Sequence, residues 1–304
     1  MEREVIKGHI AMAVTALIWG VMSPICKLTM QLGDIGPIAL SSMRLVGAAL
    51  LFWLVYPWSP RERVERGDIL KIFGAAMFGV VCNQMVYVVG VGYTSPADAS
   101  IITTITPILT MLLAAVVLRE KVTGIKMLGV AACAVGAILL ITSSAKAPAA
   151  LGENKVLGDL LCLGSQCSVA VYFVMFKGVM SKYSPWTLMR WMFTFGALVC
   201  SPLSYIELSK INYSALSAEA IWSILYVVVM ATFVSYIFLA YAQQRLKPTA
   251  VSMYNYSQPI LASSLAVFWG MDHFGLLKIA AVLLVFLGVA IVTKAQSLRP
   301  RVSE

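Results

Sequence analysis

A chain of 304 residues that is 60% hydrophobic and only 12% charged, with a mean hydropathy of +0.86, is not composed as a soluble globular domain, in which about a quarter of residues are charged. Its 23 Lys and Arg against 14 Asp and Glu leave a net charge of +9. In so apolar a chain these basic residues belong to membrane-flanking loops, where they set orientation, and not to a nucleic-acid surface.

Apolar segments of about 20 residues recur from end to end, each long enough to cross a hydrocarbon core of about 30 Å. They are continuous and not alternating, so they read as helices and not as barrel strands. Ten are predicted, at 8–32, 36–57, 68–91, 96–118, 123–143, 156–180, 185–206, 216–243, 248–270 and 274–295. The first outruns a signal-peptide core and is interrupted by Ser23-Pro24, so it reads as a span. Polar breaks at 33–37, at 57–67 with its RERVER run, at Thr94-Ser95-Pro96 and at Arg119-Glu120-Lys121 read as turns. A polar linker at 146–155 divides a first five-segment half, 1–145, from a second, 156–304.

The stretch from Ser95 to Ile141 is written twice. Shifted by 152 positions, it aligns without a gap to the stretch from Lys247. Pro96 meets Pro248, Pro107 meets Pro259, Lys126 meets Lys278 and Gly136 meets Gly288. Apolar composition alone does not align prolines, a lysine and a glycine in one register, so this is an internal repeat. Five is odd, so the second half enters the membrane from the opposite side. The predicted fold is an all-α integral membrane protein of ten transmembrane helices, arranged as two inverted five-helix repeats. That architecture characterises secondary transporters, with the solute site at mid-depth between repeats. With the N-terminus inside, 16 Lys and Arg fall at cytoplasmic ends and 4 at outer ends. Both termini are therefore expected in the cytoplasm, with the chain in the inner (plasma) membrane.

The five-plus-five arrangement, Pro107 and Pro259, and the run LREKVTGIKMLGVAACAVGAILLI resemble the EamA-type drug/metabolite transporters. Glu120, Gly129 and Gly136 stand where that family carries a turn acid and the glycines of the next helix. The second copy departs, with Asp272 at the turn. The resemblance implies a cavity lined by the first, third, fourth, sixth, eighth and ninth segments.

Polar groups inside membrane spans mark pathways or helix contacts. The densest run is Ser252, Tyr254, Asn255, Tyr256, Ser257 and Gln258 before Pro259, which frees a carbonyl one turn earlier. Its repeat partner is the threonine set Thr103, Thr104 and Thr106 before Pro107. The candidate solute-binding residues are Asn255, Gln258 and Tyr254, with Asn83, Gln84 and Tyr87 on the third segment, Trp19, Thr103, Gln166, Tyr172, Tyr236 and Arg44. Arg44 has three open readings: a pair with Asp98, a cap on carbonyls, or attraction of an anion. If Arg44 or Lys27 faces the cavity, the solute carries a carboxylate. Arg190 reads as a cation snorkelling to headgroups. Asp98, the single intramembrane carboxylate weighed, reads as a helix N-terminal residue.

These residues point to a transporter or exporter of small metabolites, amino acids or similar amphipathic solutes, working by alternating access. An exporter of drugs or organic cations is the alternative, disfavoured by the scarcity of acids. A membrane-embedded enzyme would need clustered histidine, serine or paired acids at mid-depth, and neither histidine lies there. The six scattered cysteines suggest no metal site or disulfide, and no cofactor is expected. The expected partners are a small solute and the bilayer, with oligomeric state left open.

Overall fold

The computed structural model describes residues 2–117, 124–146, 154–246, 248–270 and 275–297. All regular structure among them is helical. In chain order the runs are α1 (Glu2–Gly33), α2 (Pro37–Val55), α3 (Arg66–Tyr93), α4 (Pro96–Val117), α5 (Gly124–Lys146), α6 (Lys155–Met175), α7 (Pro185–Leu208) and α8 (Ala218–Arg245). Then come α9, made of Pro248–Met253, a 3₁₀ turn at Tyr254–Ser257 and Gln258–Phe268, and α10 (Leu276–Ser297). Seven of these runs are long and apolar enough to cross a membrane, so the chain is a multi-pass membrane protein. The turn acids Glu120 and Asp272 lie outside the described residues.

Starts are set by local chemistry. Pro37, Pro96 and Pro185 occupy first-turn positions, where a missing N–H costs nothing. Ser95, Ser184 and Ser217 accept the amide three residues on. At Ser95 the cap is reciprocal: its hydroxyl donates to Asp98 Oδ2 at 2.8 Å while it accepts the Asp98 amide at 3.0 Å. Asp98 thus has the helix-start role expected of it.

Four runs are irregular at mid-depth. Pro107 and Pro259 cannot continue an α-helical ladder, and α4 and α9 each break just before theirs. α3 and α8 instead carry π-helical stretches, Met77–Met85 and Tyr226–Val234. These breaks free carbonyls and turn polar side chains inward.

The helices pack in a definite register. α1 runs antiparallel to α8, with Glu4 bonded to Arg245, Thr15 to the Ser235 carbonyl and Tyr226 to the Ile18 carbonyl. The first part of α4 packs on the last part of α9, the last part of α4 on the first part of α9, and α5 on α10. Two close approaches require glycine. A Cβ on Gly158 would stand 2.7 Å from the Thr94 nitrogen and 2.8 Å from the Gly90 carbonyl, so α6 and α3 touch backbone to backbone. A Cβ on Gly136 would meet the Ala281 carbonyl at 2.9 Å, which brings α5 onto α10.

Two large apolar clusters result, beside a small third at Ile108 and Val285. One gathers Met12, Leu45, Val80, Val169 and Tyr236, and the other Met22, Leu40, Val88, Cys162 and Ala231. On each of five helices the switch between clusters falls in the same few residues, and polar side chains fill the gap between them. Arg190 departs from the snorkelling expectation. It is buried, with its guanidinium 4.0 Å from the Tyr56 ring centroid and 5.1 Å from that of Trp53. The aromatic faces at the end of α2 attract the cation and hold it between α2 and α7.

Candidate functional site

One cavity opens at the boundary of the two apolar clusters. Its volume is about 50 Å³, counted as the space that can seat the centre of a water molecule. That seats a few waters, so a metabolite needs the helices to part. Its walls come from seven helices: Trp19 and Met22 on α1, Arg44 on α2, Asn83, Gln84 and Tyr87 on α3, Thr103 on α4, Gln166, Val169 and Phe173 on α6, Tyr236 on α8, and Asn255 and Gln258 on α9.

Each wall follows from its helix. Gln166, Val169 and Phe173 repeat at i, i+3 and i+7 on one face of α6, as Asn83 and Tyr87 do at i and i+4 on α3. The 3₁₀ turn before Pro259 puts Asn255 and Gln258 on one side, where Gln258 Nε2 donates to Asn255 Oδ1 at 3.0 Å. In α4 the Thr103 and Thr106 hydroxyls donate to the carbonyls three residues back at 2.6 Å. They also tie the two broken helices and α6 together. Thr106 Oγ1 also lies 2.7 Å from Gln166 Oε1 and Thr103 Oγ1 3.5 Å from Gln258 Oε1, so each hydroxyl's single proton is shared between its own helix and the facing amide. Trp19 is fixed by its indole N–H, which donates to Ser235 Oγ at 3.0 Å and to the Ala231 carbonyl at 3.2 Å. Its ring meets Tyr236 edge-on at 5.8 Å.

Arg44 is 1% exposed. Its Nε–H donates to Thr232 Oγ1 at 2.9 Å, and its Nη1 meets no hydrogen-bond partner. Neither amide atom of Gln84 makes a close hydrogen bond, and its looser neighbour is the Tyr236 hydroxyl. Among the described residues, the wall therefore carries one cation, five amides, two tyrosines and no carboxylate.

Ten of the twelve candidate residues line this cavity. Two do not. Tyr172 points away and donates to Gln243 Oε1 at 2.9 Å, in a smaller pocket with Lys177 and Met180. The Tyr254 hydroxyl meets His9 Nδ1 at 2.8 Å at the α1–α9 contact. Both tyrosines join helices at the Arg245 end of the bundle. There Gln244 Nε2 also donates to the Tyr183 carbonyl at 2.6 Å, and Arg245 to Glu4 at 2.9 Å. At the opposite end the Lys27 ammonium donates to the Gly92 carbonyl at 2.9 Å, Ser23 to the Pro96 carbonyl at 3.2 Å, and Thr94 to Asp159 Oδ1 at 2.6 Å. Side-chain bonds thus join helices at both ends of the bundle.

Sequence reasoning missed Met22, Val169 and Phe173, which carry no signal among the apolar residues around them. It also missed two buried carboxylates besides Asp98. Asp159 is the Thr94 acceptor, and Asp68 accepts from Lys71 at 2.9 Å, Lys182 at 2.7 Å and the Tyr183 hydroxyl at 2.8 Å. Each lies near a predicted segment end, at 68 and 156, and so was not weighed. Among the described residues no group of His, Cys, Asp and Glu is placed to hold a metal ion.

The sequence model of the EamA-like transporter family matches residues 6–142 and again residues 156–294. The chain belongs to the EamA-like transporter family. A protein named "Uncharacterized transporter" from Archaeoglobus fulgidus is 25% identical over 95% of this chain and 99% of its own length. The "WAT1-related protein At2g40900" of Arabidopsis thaliana is 26% identical over 68% of this chain and 58% of its own. A crystal structure with 16% sequence identity superposes with a TM-score of 0.65 over 98% of this chain and 99% of that one, which shows a shared fold.

Proposed function

We propose that this EamA-family transporter moves small amphipathic metabolites, amino acids first among them, through the cavity at Trp19, Asn255 and Gln258 by alternating access. The observation that carries the reading is the convergence of five amides and Arg44 on one mid-depth cavity with Trp19, Phe173 and Tyr236 for walls. Few precisely placed polar groups in an apolar cleft is the composition of a small-molecule site.

In this reading the ten segments are two inverted repeats, 1–145 and 156–304, joined at 146–155. The crossed packing of α4 on α9, first part to last, is what a two-fold axis in the membrane plane requires. The bonds at the two ends of the bundle are then the layers that break in turn. The loop charges put both termini in the cytoplasm and the chain in the inner membrane. An organic-cation exporter is disfavoured because the cavity wall holds a cation and no acid. A membrane-embedded enzyme is disfavoured because no nucleophile–base or acid pair faces the cavity.

The test is thermal stability of the detergent-purified protein across a panel of amino acids and related solutes, for the native chain and Asn255→Ala. A solute that binds the folded state raises stability by mass action. A stabilising effect that vanishes in Asn255→Ala supports the reading. One that survives both Asn255→Ala and Gln258→Leu moves the site elsewhere.

A further inference from the structure

From the Arg44 corner of the cavity we infer that the transported solute carries a single carboxylate, and that Arg44 is the group that binds it. The inference rests on the cavity being the solute site and adds the class of solute. It starts from what a buried guanidinium needs. Arginine stays charged in proteins, and a cation withdrawn from water into a membrane interior is costly unless its N–H groups find acceptors. Arg44 is 1% exposed and bonds a single neutral hydroxyl, Thr232 Oγ1, leaving Nη1 without a partner. Evolution of a core alone would favour an apolar residue of similar volume here.

Arg44 stands in the cavity wall, and Gln84 of the same wall makes no close hydrogen bond through its amide, which the Tyr236 hydroxyl approaches more loosely. Together they supply a charged donor, a neutral donor and a neutral acceptor. The fork of a guanidinium matches the two oxygens of a carboxylate. With no acid in the wall, one bound carboxylate neutralises the cavity, whereas a bound organic cation doubles its charge in a low dielectric. The Trp19, Phe173 and Tyr236 rings then face the solute's remainder. This orders the solute, with its anionic end toward Arg44 on α2 and Gln84 on α3 and its apolar end toward the rings of α1, α6 and α8.

The test uses matched triplets on one carbon skeleton: a carboxylate, its neutral amide and the corresponding amine, drawn from straight-chain, branched and aromatic skeletons with and without an α-amino group. Each is scored by thermal stabilisation of the purified full chain. The native protein should be stabilised by carboxylates in preference to their amides and amines. Arg44→Gln should weaken that stabilisation about tenfold in apparent affinity or more, as loss of a charged hydrogen bond does. Should Arg44→Gln not fold, Arg44→Lys keeps the charge and loses the fork, and the carboxylate preference should remain with weaker binding. An amide or amine that stabilises as well as its carboxylate overturns the inference, as does carboxylate binding indifferent to Arg44 or silence across the triplets. If an amide or amine binds and Asn255→Ala abolishes it, the cavity stands and only the solute class falls. If carboxylates bind indifferently to both Arg44 and Asn255, the cavity itself is the wrong site.

Discussion

Arg44 and Thr232 are joined across the two halves of the sequence, Nε–H to Oγ1 at 2.9 Å, and the Thr232 hydroxyl spends its own proton on the Val227 carbonyl at 2.8 Å. That carbonyl lies five residues back, the spacing of the π-helical stretch in α8. With its proton committed, the threonine oxygen is left as an acceptor, so the π stretch orients the cation of the cavity.

Thr232→Val tests this link. The replacement keeps the shape and removes both bonds. Solute affinity should fall about fivefold, which corresponds to about 1 kcal/mol for one hydrogen bond. Titration of thermal stabilisation against solute concentration measures it.

Gly158→Ala should destabilise the bundle by about 1–3 kcal/mol, the range for overpacking. The new Cβ would meet backbone, the Thr94 nitrogen at 2.7 Å and the Gly90 carbonyl at 2.8 Å, and backbone cannot step aside as a side chain can. Gly164→Ala, with open space around its position, should leave stability unchanged. Unfolding in detergent followed by tryptophan fluorescence compares the two.

Tyr172→Phe should leave solute affinity within about twofold, because the hydroxyl faces Gln243 and not the cavity. It should cost about 1 kcal/mol of stability through the lost bond. The same solute titration, run beside an unfolding curve, separates the two effects.

Asp68→Asn should lower stability, read as a shifted unfolding curve, since the carboxylate accepts charged bonds from Lys71 and Lys182 and a third from Tyr183. The cause is local to the α3–α7 end, so solute affinity should not move. Outside the spans, the Lys182 ammonium is held above its ordinary pKa by its hydrogen bonds to the Asp68 carboxylate first and Glu65 second.

Much of this was legible from residue order. The apolar runs, the caps at Ser95 and Ser184 and the breaks before Pro107 and Pro259 are local consequences of local residues. The amides at Asn83, Gln84, Gln166, Asn255 and Gln258 stood out because polar side chains are costly at those depths. Tyr172 and Tyr254 looked equivalent to them, since a tyrosine on a helix can face either way. What turned them from the cavity is partner placement: Gln243 lies 71 residues beyond Tyr172, and His9 lies 245 residues before Tyr254. The Arg190 stack on Tyr56 and Trp53 was hidden for the same reason. Asp159 was passed over because it stands a short step from the segment end, while the Gly90–Gly158 contact seals that end.

The central claim is that the mid-depth cavity is the route of the solute. The most direct measurement is counterflow of a stabilising solute into liposomes containing the native chain or Asn255→Ala, with folding of the variant verified by its unfolding curve. The account predicts saturable flux, accelerated by solute on the far side, in the native protein and flux at the protein-free level in the variant. Equal flux through both proteins, or flux that rises linearly without saturating, would contradict it.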